Sequence, residues 1–332
     1  MYKFFVGVDP SKKTIDVSWT EGPKPSYLNY FANTIPGFKK MINALEKQTS
    51  VDPSEWFVCF ENTGTYSKAL LYWLLSQGIP CLEENPMKIH FKKGFNRGKS
   101  DKIDSGIICD YAFTNRDRLT PSTLAKPEII ELKKLLAQRE LLVRHRKAIA
   151  NSLKEQKAEF SPVLFTKLDQ NNKLLLTQYQ ANIADIEKLI EQLIQSDEAM
   201  AKNDKLAQSV IGVGPIISWY IIAYTENFCT IKSSRKFANY IGVAPHPFKS
   251  GSSIKKKDKT SKMANQQVKA VVSNGILSAI QHDPQIRAYF NRKIGEGKPV
   301  GIVYNNIKNK LVTRIFSTIN RGLPYVKLNN YA

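Results

Sequence analysis

Four acidic residues in the first third of the chain stand where a metal-dependent phosphoryl-transfer site would need them. Asp9 ends an apolar, β-prone run (residues 3–8, KFFVGV) at an Asp-Pro turn, and Glu61 ends a second such run (56–61, WFVCFE) before Asn62-Thr63-Gly64-Thr65. Asp101 and Asp104 are three residues apart in a segment of helical character, so they project from one face about one turn apart. Together they offer four hard oxygen donors. That set suits Mg²⁺ or Mn²⁺, ions that activate a nucleophile and stabilise a leaving oxygen. Each acid alone has an ordinary explanation: Asp before Pro forms turns, and Asp101 or Asp104 fits the first turn of a helix. What points to a site is the coincidence of all four in a strongly basic chain. Asp16, Glu83, Glu84 and Asp110 lack one or other of these placements, and Asp110 is the nearest competitor for a place in the set.

A second kind of chemistry is written into residues 242–267, GVAPHPFKSGSSIKKKDKTSKMANQQ. Lys249, Lys255, Lys256, Lys257, Lys259 and Lys262 suit contacts to phosphates. Ser250, before Gly251, is a hydroxyl in a cationic setting, able to attack a phosphodiester if a metal or base takes up its proton. A flexible loop whose serines only donate hydrogen bonds to phosphate fits the composition as well. Upstream, Gly212-Val213-Gly214 precedes an apolar helical stretch. Such a turn either brings backbone N–H groups to a phosphate, as in helix-hairpin-helix modules, or merely packs the helix.

The charge balance names the class of partner. Lys and Arg outnumber Asp and Glu 49 to 29, a formal net charge of +20, with a pI near 9.6. Between residues 231 and 310 there are sixteen basic residues against three acidic ones, so phosphate contacts are expected to concentrate in the C-terminal third. A polyanion is the expected partner. The absence of a long apolar run and the early Asp9 argue against a membrane span or a secretory leader, so the expected location is cytoplasmic. Cys59, Cys81, Cys109 and Cys229 are too scattered for a zinc site and read as buried thiols.

The elements that must position these residues follow from periodicity. Residues 3–9, 14–20 and 26–33 read as a β-meander, 36–48 as a helix, 56–61 as a strand, 66–77 as a helix, 79–84 as a strand and 101–115 as a helix. Three sequential strands followed by alternating helix and strand is the order of an α/β, ribonuclease-H-like domain, although other α/β folds share parts of it. Residues 126–160 and 172–204 read as two long helices with a turn around Pro162, forming an antiparallel hairpin or a coiled-coil dimerisation arm. Beyond it come further helices, including 266–281 and 302–319, with a basic, Ser-rich loop at 245–264. The expected division is therefore a domain at 1–120, a helical connector at 121–205 and a mainly α domain at 206–332.

The order of motifs also resembles a known family. GVDPSK (7–12), ENTGTY (61–66), NPMKIHFKKG (85–94) and KSDKIDS (99–105) resemble the successive motifs of the DEDD insertion-sequence transposases, relatives of the Piv-type DNA invertases. IGVGPIISWYIIAYT (211–225), FANYIGVAPHPFKSGS (237–252), TSKMANQQ (260–267) and GKPVGIVYNNIKNKL (297–311) resemble the second half of the same family, in order. The resemblance implies a RuvC-like domain whose DEDD tetrad falls on Asp9, Glu61, Asp101 and Asp104, and a transposase domain whose nucleophilic serine falls on Ser250. It further implies a phosphoserine-linked DNA intermediate made by a homo-oligomer, a dimer or tetramer in which the tetrad of one subunit serves the serine of another. A structured bridge RNA that pairs with donor and target DNA is implied as guide. Pro10, Ser100, Ser105 and Met263-Ala264 depart from the family's usual wording, and Ser252 and Ser253 are alternative nucleophiles. A Holliday-junction resolvase would use the same acids with water. An actin-like sugar kinase gives the +20 charge no role, and a non-catalytic architectural protein gives the four acids none.

Overall fold

The computed structural model describes residues 2–49, 51–90, 101–244, 246–250, 254–259 and 264–326, with 246–250 and 254–259 described by their backbone. The chain divides into two compact units, Met1–Leu124 and Ala125–Ala332.

In the first unit β1 (Phe4–Pro10), β2 (Thr14–Thr20) and β3 (Ser26–Ala32) form an antiparallel meander. Then α1 (Ile35–Thr49) leads to β4 (Trp56–Glu61), α2 (Thr65–Ser76) to β5 (Cys81–Glu84), and α3 (Pro86–His90) precedes α4 (Asp101–Thr114). The sheet order is β3-β2-β1-β4-β5, with β1, β4 and β5 parallel to one another. This mixed α/β sheet agrees with the ribonuclease-H-like order expected from the sequence.

Alternation along the strands sorts side chains onto two faces. Phe4, Val6 and Val8 of β1, Ile15 and Val17 of β2, and Trp56, Val58 and Phe60 of β4 pack with Phe38, Met41 and Leu45 of α1 and Leu70 and Leu74 of α2. Phe5, Phe57 and Cys59 belong to a second core with Ile89 of α3 and Ile108, Tyr111 and Ala112 of α4. The sheet is therefore a layer between two sets of helices. By the same parity Asp9, Asp16 and Glu61 fall on the face that α4 covers.

The second unit is mostly helical. α5 (Pro127–Gln156) and α6 (Pro162–Ser196) pack as an antiparallel hairpin, tied by the Arg139–Glu187 ion pair at 2.7 Å and an edge contact of His145 with Tyr179. The turn between them spans only residues 157–161, not the longer stretch expected, because Pro162 is placed in the first turn of α6, where its missing N–H costs no helical bond. The second expected long helix is also interrupted. Asp197 ends α6 and caps α7 (Glu198–Gln208) by accepting from Met200 N at 2.9 Å, and it holds Lys126 at 3.0 Å. Then follow α8 (Pro215–Thr225), α9 (Ser234–Tyr240), strands β6 (His246–Ser250) and β7 (Ile254–Lys259), α10 (Gln266–Ser273), α11 (Gly275–His282), α12 (Pro284–Gly295) and α13 (Val300–Arg321).

One core joins the base of the hairpin (Ile129, Leu132, Leu136, Ile190, Ile194) to α8 and to Phe237, Val268, Ile307 and Phe316. The single helix expected over 266–281 is two, split at Asn274. A Cβ on Gly275 would stand 2.2 Å from the Gly212 carbonyl oxygen, so the break lets two backbones touch. The basic loop expected at 245–264 contains instead an antiparallel strand pair, β6 with β7. Cys59, Cys81 and Cys109 are buried, but Cys229 is exposed, since the chain leaves α8 through Glu226, Asn227 and Phe228, all at positive φ. Among the described residues no helix is long and apolar enough to cross a membrane.

Candidate functional site

The acids of the first unit are brought together by the seating of α4 on the sheet. Gly7 makes this possible: a Cβ there would lie 2.2 Å from Cys109 N and 2.4 Å from the Ser105 carbonyl oxygen. No side chain larger than hydrogen fits. At this contact Ser105 and Ser18 share a buried hydrogen bond of 2.8 Å, and Cys109 Sγ donates to the Phe5 carbonyl at 3.3 Å. The α4 stripe that buries Ser105 and Ile108 begins one turn earlier with Asp101 and Asp104. Pinning that stripe to β1 and β2 sets both acids beside the end of β1, where Asp9 stands.

Electrostatics report the result. The Asp9 carboxyl is pushed from 3.8 up to about 7, first by burial and then by the charges of Asp104, Glu61, Asp101 and Asp16. Asp9 therefore senses the charges of the other three acids singled out in the sequence. Among the described residues no group of three or more His, Cys, Asp or Glu is arranged as a ready metal cage, so the tetrad is a set of electrostatic neighbours and not a closed ligand sphere. The donor chemistry fits a hard divalent cation, because mutual repulsion of carboxylates is what such an ion relieves. Beside the set, His90 Nε2 lies 3.9 Å from Glu61 Oε1.

The other acids are accounted for by parity. Glu83 points to the opposite face, where Ser67 donates to it at 2.6 Å and Lys68 pairs with it. Glu84 shares the α4 face but is buried and satisfied by the Tyr111 hydroxyl (2.9 Å), Asn85 N (2.8 Å) and Lys88 (3.0 Å). Asp110, two turns along α4 from the pair, accepts from Thr114 at 3.3 Å. Asp16 is the residue that sequence reasoning undervalued. It is the cross-strand partner of Asp9, it accepts the Tyr27 hydroxyl at 2.8 Å, and Lys102 of α4 rests 4.9 Å over the Tyr27 ring. The signal was present in the meander, whose short turn at 11–13 pairs the end of one strand with the start of the next.

In the second unit Ser250 is the last residue of β6 and pairs with Ile254, while Lys249 pairs with Lys255, Phe248 with Lys256 and His246 with Lys259. Lys257 lies in β7; Lys262, Ser252 and Ser253 lie outside the described residues. Gly212 and Gly214 line a cleft of about 650 Å³ with Arg139, Tyr220, Gln267 and Asn274. Gly212, at φ +91°, is spent on close packing, since a Cβ there would lie 2.8 Å from the Gly275 carbonyl oxygen. Gly214 has open space at its Cβ position and precedes α8, whose first residue is Pro215, without a side-chain cap.

Comparison with known proteins finds two family models that match the chain in succession. A family model described as a transposase matches residues 6–162, which contain the four acids, and a second, described as the transposase IS116/IS110/IS902 family, matches residues 204–291, which contain Ser250. The chain is 24% identical over 332 residues to the pilin gene-inverting proteins of Moraxella bovis and Moraxella lacunata, covering 98% of this chain and 99% of each of them. It is 27% identical over 169 residues to the putative transposase y4pF/y4sB of Sinorhizobium fredii (strain NBRC 101917 / NGR234), covering 45% of this chain and 43% of that protein.

Proposed function

The chain belongs to the IS116/IS110/IS902 family of transposases, DNA-acting enzymes, and from that premise we propose that it recombines the DNA of an insertion sequence through a composite carboxylate and serine site. The observation that carries the carboxylate half is the raised Asp9, whose neighbours are the three other acids of the tetrad. Asp9, Glu61, Asp101 and Asp104 would hold Mg²⁺ or Mn²⁺. When bound, such an ion supplies Lewis acidity to a phosphoryl oxygen and lowers the proton affinity of a nucleophile.

Ser250 supplies the nucleophile. Its Oγ bonds to phosphorus as the P–O bond to one sugar breaks; the serine proton leaves, and the freed sugar oxygen takes one up. The phosphodiester's energy is kept in the serine ester, so rejoining is the reverse reaction with a new sugar hydroxyl and needs no cofactor beyond the ion. The two-stranded ribbon that carries Ser250 and its lysines has dimensions that suit a DNA groove. Relatives named for gene inversion support a conservative exchange of strands between sites.

Donor and target DNA are the substrates in this reading, a structured bridge RNA is the guide, and a dimer or tetramer brings the tetrad of one subunit to the serine of another. The RuvC-like domain, the helical arm as dimerisation element and the C-terminal transposase domain are its three parts. The basic β6–β7 lysines and the turn at Gly212 and Gly214 hold phosphates. The deciding experiment is Ser250→Ala in a strand-transfer assay with Mg²⁺ and the junction DNA of the element. It should lose both covalent protein–DNA adducts and joined products while keeping nucleic acid binding; retained cleavage without adducts points to water as nucleophile, the resolvase chemistry.

A further inference from the structure

A pair of lysines at the root of the β6–β7 hairpin has no part in the site described so far. Lys269 of α10 and Lys308 of α13 are both half-buried, and they lie close enough for the charge of one to act on the other. Lys269 Nζ donates to the Gly242 carbonyl at 3.0 Å, and Asn305, one turn before Lys308, donates to the neighbouring Val243 carbonyl at 2.7 Å. These carbonyls belong to the segment that enters β6. The segment that leaves β7 is fastened at the same place, where Asn265 N donates to the Tyr240 carbonyl at 2.8 Å and its side chain to the Tyr240 hydroxyl at 2.9 Å. Both ends of the hairpin are thus rooted beside two like charges.

Like charges held together with partial loss of solvent are costly unless an anion sits with them. Among the described residues no carboxylate does. Helices α9, α10 and α13 contain no acid at all. Of the three acids between residues 231 and 310, Asp283 caps α12 and holds Arg314, Glu296 holds Lys293, and Asp258 is in β7. Burial, and after it the charge of Lys269, holds the Lys308 ammonium below the ordinary lysine value.

We infer that Lys269 and Lys308 form a binding site for one phosphate of the DNA backbone, flanking the phosphodiester that meets the hairpin. The inference rests on the proposed DNA chemistry only for the choice of DNA as the polyanion. Ser250 lies four residues beyond His246 along β6, roughly 13 Å at the rise of a strand. The gripped phosphate is then a different one in the strand from the one attacked. The site holds the substrate against the base of the hairpin and so sets how far its tip can reach.

The test is a salt titration of binding, with the full chain and a fluorescently labelled DNA duplex of arbitrary sequence, read by anisotropy. Lys308→Met should weaken binding about tenfold near physiological salt and reduce the slope of log K against log salt by about 1, whereas Lys308→Arg keeps the slope. The ligand-free Lys308→Met chain should melt no lower than the parent, because an unpaired half-buried charge has been removed; a structural lysine would behave the opposite way. An unchanged slope and affinity in Lys308→Met overturns the site, as does a loss confined to a hairpin RNA probe run in parallel. A parent chain that binds duplex but transfers no strand defeats the strand-transfer reading and leaves this result standing. A parent chain that binds no duplex overturns both.

Discussion

Asp9 and Asp16 face each other across the β1–β2 pair, and Asp16 accepts the Tyr27 hydroxyl at 2.8 Å while the Asp9 carboxyl, with the charge of Asp16 among its neighbours, is pushed up to about 7. The meander thus presents two carboxylates with different duties. Asp16 has a local donor that fixes its position, with Lys102 held over the same Tyr27 ring. Asp9 is surrounded by charges of its own sign and gains most from a cation. A divalent cation held among these acids would relieve that repulsion.

Removing the Asp9 charge should stabilise the metal-free chain. Its folded value, about 7, lies above the ordinary 3.8, so its contribution to stability is fully present below about pH 4 and is lost as pH rises through 7. Asp9→Asn should therefore unfold later than the parent at pH 8 by about 1–3 kcal/mol, less than the whole shift because solvent screens part of it. The difference should shrink as pH falls, and the two should nearly coincide only below about pH 4. Mg²⁺ should raise the melting temperature of the parent at pH 8 and leave that of Asp9→Asn unmoved, as followed by calorimetry in chelator and in excess metal.

Gly7→Ala tests whether seating α4 is what makes the site. The added methyl would meet the Cys109 nitrogen at 2.2 Å and the Ser105 carbonyl at 2.4 Å, both backbone atoms, so the helix must move off the sheet. A cost of about 1–3 kcal/mol or more is expected from overpacking. The metal-induced rise in melting temperature should fall with it although every donor remains. A variant that melts early yet keeps the full response to Mg²⁺ would separate the helix contact from the site.

The acids were legible in the sequence because each sits at an element boundary that periodicity can find: Asp9 and Glu61 at strand ends, Asp101 and Asp104 at a helix start. What periodicity could not see was contact between distant elements. Gly7 reads as an unremarkable strand glycine until Ser105 and Cys109 are laid on it, and Gly275 reads as a helical residue until Gly212 arrives. The strands β6 and β7 were hidden for a different reason. Their lysines and their proline carry loop composition, and the pairing of Ser250 with Ile254 is a property of two segments, not of either one. The end of α6 at Asp197 was legible in principle, since Asp is a capping residue, but the apolar repeat runs through it.

Glu83 and Glu84 offer a control on the face assignment. Glu83→Gln weakens the contacts to Ser67 and Lys68 on the far side of the sheet, so it should lower stability by about 1–3 kcal/mol without touching the metal response. Glu84→Gln lies on the α4 face and weakens the ion pair of this buried carboxylate with the exposed Lys88 and the bond from Tyr111, so it should lower stability at least as much. Titrations with Mn²⁺ should show parent-like affinity in Glu83→Gln. If Glu83→Gln abolished metal binding, the parity argument for Asp9 and Glu61 would fail with it.

The α5–α6 hairpin makes the last prediction. Its base is buried with the C-terminal helices, but along α6 Val163, Leu164 and Leu174 are 70%, 59% and 74% exposed, and Leu175 and Leu189 are exposed as well. Apolar side chains spaced along one long helix, away from its own core, suit a second copy of the same helix pair, which would bury them and lend one subunit's serine to the other's acids. Leu174→Glu with Leu175→Glu should shift the chain toward monomer in sedimentation velocity without lowering helicity, because neither residue belongs to the core. Strand transfer should fall with the oligomer, while binding of a short DNA duplex by each monomer should persist. If the double variant sediments like the parent, the arm is not a dimer contact, and the proposed composite site would need another surface.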